Sequence, residues 1–152
     1  MKDTIDAVIS ALKDANTLSY ISDQDIFTTE NEYLIPETVK SHFISVKDGR
    51  ESRRELSGGM IERTRYVKVS IYVQLAKPGA ALMGDSASGK KGILEMADDV
   101  DTVLDENPLD ISGIQSAFCR DIAESEAIGD DTGDVFIKKT MLYEYIKEEE
   151  RP

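Results

Sequence analysis

Cysteine and histidine are the scarcest chemically reactive residues in this chain, with one of each, Cys119 and His42. A single cysteine excludes an intrachain disulfide and a zinc site built from cysteines, and it favours a reducing compartment. Its position in a predicted strand indicates a buried, inert thiol rather than a nucleophile. Any metal site or catalytic triad that needs histidine would depend on His42 alone. We therefore expect His42 to be a strand residue in an interface or in a half-exposed pair.

Basic residues and long apolar runs are also in short supply. Lys and Arg number 18 against 30 Asp and Glu, which gives a formal net charge of -12. This balance argues against a protein that grips nucleic acid independently of sequence, because such proteins neutralise phosphates with surplus Lys and Arg. No apolar run approaches the roughly 20 residues that span a bilayer, and the N-terminus has no basic-then-apolar signal pattern. The sequence predicts one cytoplasmic domain of 152 residues, with no membrane contact.

The stretch from Ile61 to Glu106 organises the chain. Apolar residues alternate from Ile61 to Leu75, which predicts a long strand with one face on a core. After a Gly- and Ser-rich loop over residues 76–89, the period changes to 3.6, which predicts a helix. The apolar stripe of that helix comprises Ile93, Met96, Ala97, Val100, Val103 and Leu104. Residues 4–15 carry a similar stripe and predict a first helix.

The rest of the chain predicts further strands joined by loops. Residues 17–21 fit a short strand or an extended turn, 22–31 a loop, and 33–35 an extended apolar cluster that is either core or an exposed docking patch. Strands are predicted over 39–47, 111–122 and 135–146, and the last of these has apolar residues on both faces. Residues 123–133 fit an acidic loop, and 148–152 a frayed tail. Together these features predict an α+β domain with a mostly antiparallel, mixed sheet of four to five strands and two helices packed on it.

Positive charge is concentrated on one arm of this acidic chain. Residues 48–59 predict a long, mobile, charged β-hairpin arm. The stretch from Lys47 to Lys68 contains seven basic and four acidic residues, so 7 minus 4 leaves a local charge of +3. Such asymmetry favours head-to-tail contact between copies or contact with an acidic partner. The candidate interface residues in this basic stretch are Arg50, Arg53, Arg54, Arg63 and Arg65.

The main helix carries charges in the unfavourable sense for its dipole. Lys90 and Lys91 precede it, and Asp105 and Glu106 end it, at a cost of about 0.3–1 kcal/mol per charge. We expect both ends to meet charges on neighbouring subunits, so that changing both lysines to Glu impairs assembly more than stability. Asp98 and Asp101 complete the candidate interface. The default interpretation of the helix carboxylates is a solvated face, and an acid/base pair is the alternative.

Two motifs suggest ligands but depart from the required patterns. Residues 84–91, GDSASGKK, resemble a phosphate-binding loop, yet Lys91 stands where a hydroxyl must bind magnesium. The preferred interpretation is a flexible loop in which Ser86 or Ser88 caps the helix. Asp130, Asp131 and Asp134 lack the spacing of a calcium loop and predict an acidic turn. Neither a cofactor nor a metal ion is predicted.

With the stretch GKKGILEMADDVDTVLDENP placed between a long alternating strand and two closing strands, the chain resembles the tail terminator proteins of tailed bacteriophages, which complete the tail and join it to the head. The resemblance covers most of the chain in element order and size. It implies a small α+β protein with a mostly antiparallel sheet, which assembles into a hexameric ring that caps the tail tube and faces the head connector. The family has no catalytic residues to carry over.

We therefore expect a structural, non-enzymatic virion protein at the neck of a phage particle, made in the host cytoplasm. Its expected partners are further copies of itself, a tail tube protein and a head-to-tail connector or stopper protein. An acidic channel through the ring would let DNA pass without binding it. Two alternatives remain: another neck, connector or stopper component, and a nucleotide-binding regulator that uses the loop from Gly84 to Lys91.

Overall fold

A computed structural model describes residues 1–77, 79–129 and 133–151. Its helices are α1 (Lys2–Asp14), α2 (Ala80–Met83) and α3 (Ile93–Leu104). The strands are β1 (Ile26–Thr28), β2 (His42–Glu55), β3 (Met60–Val73), β4 (Ile114–Ile122), β5 (Glu126–Gly129) and β6 (Val135–Glu150). The predicted α+β class is confirmed. Within the described ranges there are six strands and three helices, one strand and one short helix more than predicted.

One mixed sheet contains all six strands, in the order β1-β2-β3-β6-β4, with β5 also paired to β6. Only the β1–β2 pair is parallel. The central pair is long: β3 and β6 are in register from Met60 opposite Glu150 to Val73 opposite Ile137. The alternating segment therefore forms strand β3, as predicted, and β3 pairs with β2 on one side and with β6 on the other along its length.

The main core lies between the sheet and helices α1 and α3. The apolar stripe of α3 is buried as predicted, apart from the partly buried Val103. It packs with Val8 and Leu12 of α1 against the inward residues of β3, β6 and β2. The α3 helix begins without a serine cap. Instead, the backbone N–H of Gly92 donates to Glu95 Oε1 at 3.2 Å, so the predicted caps Ser86 and Ser88 are not used.

A second, smaller core lies on the opposite sheet face under residues 29–41, which we call the strap. The rings of Phe43 and Tyr72 stack there with centroids 4.1 Å apart, and Phe136 meets Phe43 edge-on. Ile35 of the strap packs on this cluster, whereas Tyr33 and Leu34 are 55% and 61% exposed. The predicted apolar cluster at 33–35 is therefore partly core and partly exposed.

Several boundaries differ from the sequence predictions because short segments obtain their pairing from distant strands. Residues 17–21 contain no strand but a 3-10 turn, Asn16–Leu18. The segments predicted as loops at 22–31 and 123–133 each contribute a short strand, β1 and β5. The predicted connection at 48–59 is mostly strand, with the turn confined to residues 56–59, so the arm is a β-ribbon. The predicted frayed tail is strand up to Glu150, opposite Met60.

Candidate assembly surfaces

The five arginines between Lys47 and Lys68 separate into exposed and internal groups. Arg50, Arg53 and Arg54 are exposed. Arg50 lies over the Tyr66 ring, 4.9 Å from its centroid, and Arg54 pairs with Glu62 at 3.2 Å. Arg53 forms no ion pair within 4.0 Å to any described residue. These three side chains can meet a partner without breaking the fold.

Arg65, one of the predicted interface residues, is only 6% exposed and points into the protein. Its Nη1 donates to Thr4 Oγ1 at 2.9 Å and to Asp3 Oδ1 at 3.1 Å, both at the start of α1. Its Nε makes no hydrogen bond but lies 3.5 Å from Glu51 Oε1. Burial alone would raise the pKa of Asp3, but the N-terminal ammonium and Arg65 outweigh it and lower that pKa. Arg65 therefore fastens the first helix to the arm.

Arg63 is also engaged inside the chain. Its Nη1 donates to Glu51 Oε1 at 3.1 Å, and its Nε pairs with Glu149. Burial would raise the pKa of Glu149, but the hydrogen bond from Arg63 outweighs it and lowers that pKa. Because Glu149 lies near the end of β6, this pair ties the chain terminus to the arm.

The predicted acidic face of α3 is largely used to hold the helix in place. Asp101 Oδ1 accepts the hydroxyl of the buried Tyr143 at 2.9 Å, and burial together with this bond raises the pKa of Tyr143. Asp105 Oδ1 accepts the backbone N–H of Cys119 at 3.0 Å. Asp98, in contrast, is exposed. Of the three predicted acidic interface residues, Asp98 is the one whose carboxylate faces solvent without a hydrogen bond to another described residue.

Lys90 and Lys91 have different surroundings. Lys91 Nζ lies 2.6 Å from Asp99 Oδ2, which also accepts the Tyr20 hydroxyl. The carbonyl of Lys91 meets His42 Nε2 at 2.6 Å, so that nitrogen carries the proton. Lys90 is exposed and forms no ion pair within the part of the chain that the structure describes. Lys91 therefore has an acidic partner within the chain, and contact of either lysine with a neighbouring subunit stays a prediction.

His42 is buried rather than half-exposed, with 8% of its surface accessible. Its ring packs edge-on against Tyr20, and Nδ1 lies 2.8 Å from Ser41 Oγ. Burial lowers the pKa of His42, and this effect exceeds the opposite effect of the bond to the Lys91 carbonyl. The histidine is thus a neutral structural residue that joins β2 to the start of α3.

In the loop that resembles a phosphate-binding loop, residues 84–91, backbone N–H groups form hydrogen bonds within the loop. The N–H of Lys90 donates to the Asp85 carbonyl at 3.1 Å, and the N–H of Ala87 donates to the Asp85 side chain at 3.2 Å. The Asp85 carboxylate therefore occupies a backbone donor that a phosphate would need, and its negative charge would repel a phosphate. The hydrogen bonds of this loop close a tight turn, so its geometry does not support nucleotide binding.

Among the described residues, neither the cysteine nor the potential metal ligands form a catalytic or metal site. Cys119 is half-buried, and burial raises its thiol pKa, which favours the inert form. Among the described residues, no three His, Cys, Asp or Glu side chains come together in a way that could hold a metal ion. Asp130 and Asp131 of the predicted acidic turn lie outside those residues. None of the described helices combines the length and the apolar character needed to cross a membrane.

Sequence reasoning missed the polar contacts beneath the strap. Lys138 is 2% exposed and donates to Thr140 Oγ1 at 2.7 Å and to Glu126 Oε1 at 3.2 Å, with its Nζ 4.4 Å from the Tyr33 ring centroid. Tyr72 donates its hydroxyl to the Glu32 carbonyl, and burial raises the pKa of Tyr72 to about 12. A signal was present in the sequence, since a lysine interrupts the apolar residues of β6.

Comparison with known proteins finds similarity at the level of the fold, among solved structures. No family model matches the chain. No curated protein matches it either. Among solved structures, a chain from the virion of a native gene transfer agent particle has a similar fold, with a TM-score of 0.58. The similarity covers 93% of this chain and 92% of that chain at 12% sequence identity. At this identity the likeness concerns the fold.

Proposed function

We propose that the chain is a structural protein of a tailed, phage-like virion. The observation that carries this proposal is the fold shared over nearly the whole length of both chains with a component of a gene transfer agent virion. The element order that resembles phage tail terminators supports the same assignment. The internal use of Asp101, Asp105, His42 and Lys91 also supports it, because these groups stabilise the fold instead of forming a reaction centre.

Within the virion, we propose that copies of the chain form a ring, with six the expected number, that caps the tail tube and joins it to the head connector. The predicted interface residues that are exposed are Arg50, Arg53, Arg54, Lys90, Asp98 and Asp105. They lie on exposed positions of an otherwise internally paired fold, which suits contacts that form between subunits. A basic arm on a chain of net charge -12 favours contact with an acidic surface of the next copy.

The net negative charge also suits a channel through which DNA passes. A surface rich in carboxylates repels phosphate, so DNA in transit would not be retained by ion pairs. A ring whose channel is lined mainly by Lys and Arg would contradict this part of the proposal. The predicted localisation is the neck of the particle, after synthesis in the host cytoplasm.

Labelling of intact particles tests the assignment. The chain would carry an epitope tag after Arg151, and purified particles would be treated with gold-conjugated antibody and imaged by electron microscopy. Gold at the junction of head and tail is the expected result. Gold along the tail or on the capsid would contradict the neck position, and absence of the chain from purified particles would contradict the virion assignment.

A further inference from the structure

The outer edge of β4 has backbone groups that face away from the sheet. Cys119 donates its N–H to Asp105 and not to the neighbouring strand β6, so the odd-numbered residues of this stretch turn outward. Ala117, two residues earlier, therefore directs its N–H and C=O to the open side. Since β4 ends the strand order, no other strand within the described residues covers this edge. An uncovered edge is a template for another strand.

A groove and an acidic loop lie beside this edge. The groove has a volume of about 390 Å³ and is lined by Glu106, Pro108 and residues 114–118. The loop carries three exposed carboxylates, Asp105, Glu106 and Asp110, and none forms an ion pair within the described parts of the chain. The β4 edge therefore combines open hydrogen-bonding groups with unneutralised negative charge.

The arm supplies a second uncovered edge with the opposite charge. Strand β1 covers β2 only as far as Val46. The N–H of Leu56 donates to the Met60 carbonyl, so residues 51, 53 and 55 alternate outward from the hairpin. Glu51 and Glu55 are neutralised by arginines within the chain. Arg53 has no such partner and is exposed, so the free charge on this edge is positive.

We propose that residues 51–55 of one copy pair as a β-strand with residues 115–118 of the next copy, around the outward-facing backbone of Ala117, which joins the sheets of neighbouring subunits. The two edges lie at opposite ends of the strand order, so the contact is heterologous and can close a ring. Arg53 of one copy then lies beside the carboxylates of Glu106 and its loop on the neighbour. This inference rests on the proposed ring and specifies which surfaces form it.

Charge-exchange variants of the full chain test the pairing. The assembly midpoint, the protein concentration at which half the chains are assembled, would be measured by sedimentation for Arg53→Glu, Glu106→Arg and the double variant. Like charges across the contact are expected to raise the midpoint at least about 10-fold in each single variant, and the double variant should recover to within about 3-fold of the original chain. Lys40→Glu and Glu37→Arg make the same charge changes on the strap and should leave the midpoint unchanged.

An Ala117→Pro variant tests the backbone contact independently of charge. Proline removes the outward N–H, which has no partner among the described residues, and edge strands tolerate proline. We expect a folded monomer, checked by its melting temperature, that no longer assembles. Rings that form normally in Ala117→Pro and in both charge variants would overturn the pairing and leave the proposed function standing. An unmodified chain that stays monomeric at every concentration, and also in the presence of isolated tail tubes, would contradict the ring itself.

Discussion

Replacing Arg65 with Met removes a buried charge while it keeps most of the side-chain volume. Arg65 bonds to the fully buried Thr4 hydroxyl, and a hydrogen bond to a charged group contributes about 1.5–3 kcal/mol. The pair with Asp3, whose side chain is 52% exposed, adds about 0–1 kcal/mol after solvent screening. We therefore expect the free energy of unfolding to fall by about 2–3 kcal/mol.

Thermal unfolding followed by circular dichroism measures this loss. At about 2–4 °C per kcal/mol for a chain of this size, the melting temperature of Arg65→Met should fall by roughly 5–10 °C. Arg53→Met is the matched control, because it removes an exposed arginine from the adjacent strand. Its free energy of unfolding should change by less than about 0.5 kcal/mol.

Melting and assembly of the two variants distinguish an internal arginine from an interface arginine. An Arg65→Met variant that melts like the original chain but loses assembly would show that Arg65 contacts a neighbouring subunit. Arg53→Met should show the reverse pattern, with unchanged melting and weakened assembly. Loss of stability in both variants would mean that Arg53 also has a role within the monomer.

Three further outcomes follow from the internal contacts. Burial lowers the pKa of His42 below its unfolded value of about 6.5. Its contribution to stability is therefore complete above that pH and is lost as the pH falls through the folded pKa. His42→Gln should flatten the dependence of stability on pH below about pH 6.5, and an unaltered slope in urea titrations would refute this. Tyr143→Phe and Asp101→Asn should each lower the free energy of unfolding by about 1 kcal/mol, because each removes the hydrogen bond between the two side chains. The double variant should lose less than the sum of the two single losses. Strict additivity would exclude this hydrogen bond as a stabilising contact. A Cβ on Gly92 would lie 2.6 Å from the Leu82 carbonyl oxygen. Gly92→Ala should therefore lower the free energy of unfolding by more than about 1 kcal/mol. An unchanged melting temperature would contradict the close packing of α2 against α3.

The sequence was sufficient to predict the elements that carry a long periodic pattern. Alternation along β3 and the apolar stripe of α3 each extend over many residues, so their burial follows from period alone. Strands β1 and β5 have three and four residues, too few for a period. Their existence depends on pairing with β2 and β6, which local patterns do not encode.

The direction of individual charged side chains was harder to predict than the strands that carry them. Arg65 lies on the same face of β3 as Val67 and Val69, and its alternation could have indicated burial. The compensating partners Thr4 and Asp3 lie about sixty residues earlier, on another element. Charge counts along the chain therefore identified the basic stretch between Lys47 and Lys68 but could not separate its internal arginines from its exposed ones.

Imaging of the purified chain by negative-stain electron microscopy, with native mass spectrometry on the same sample, tests ring assembly most directly. We expect closed rings with a central channel and a mass equal to a small whole number of subunits, six being the expected number. A monomer without rings at every concentration, and also in the presence of isolated tail tubes, would contradict it.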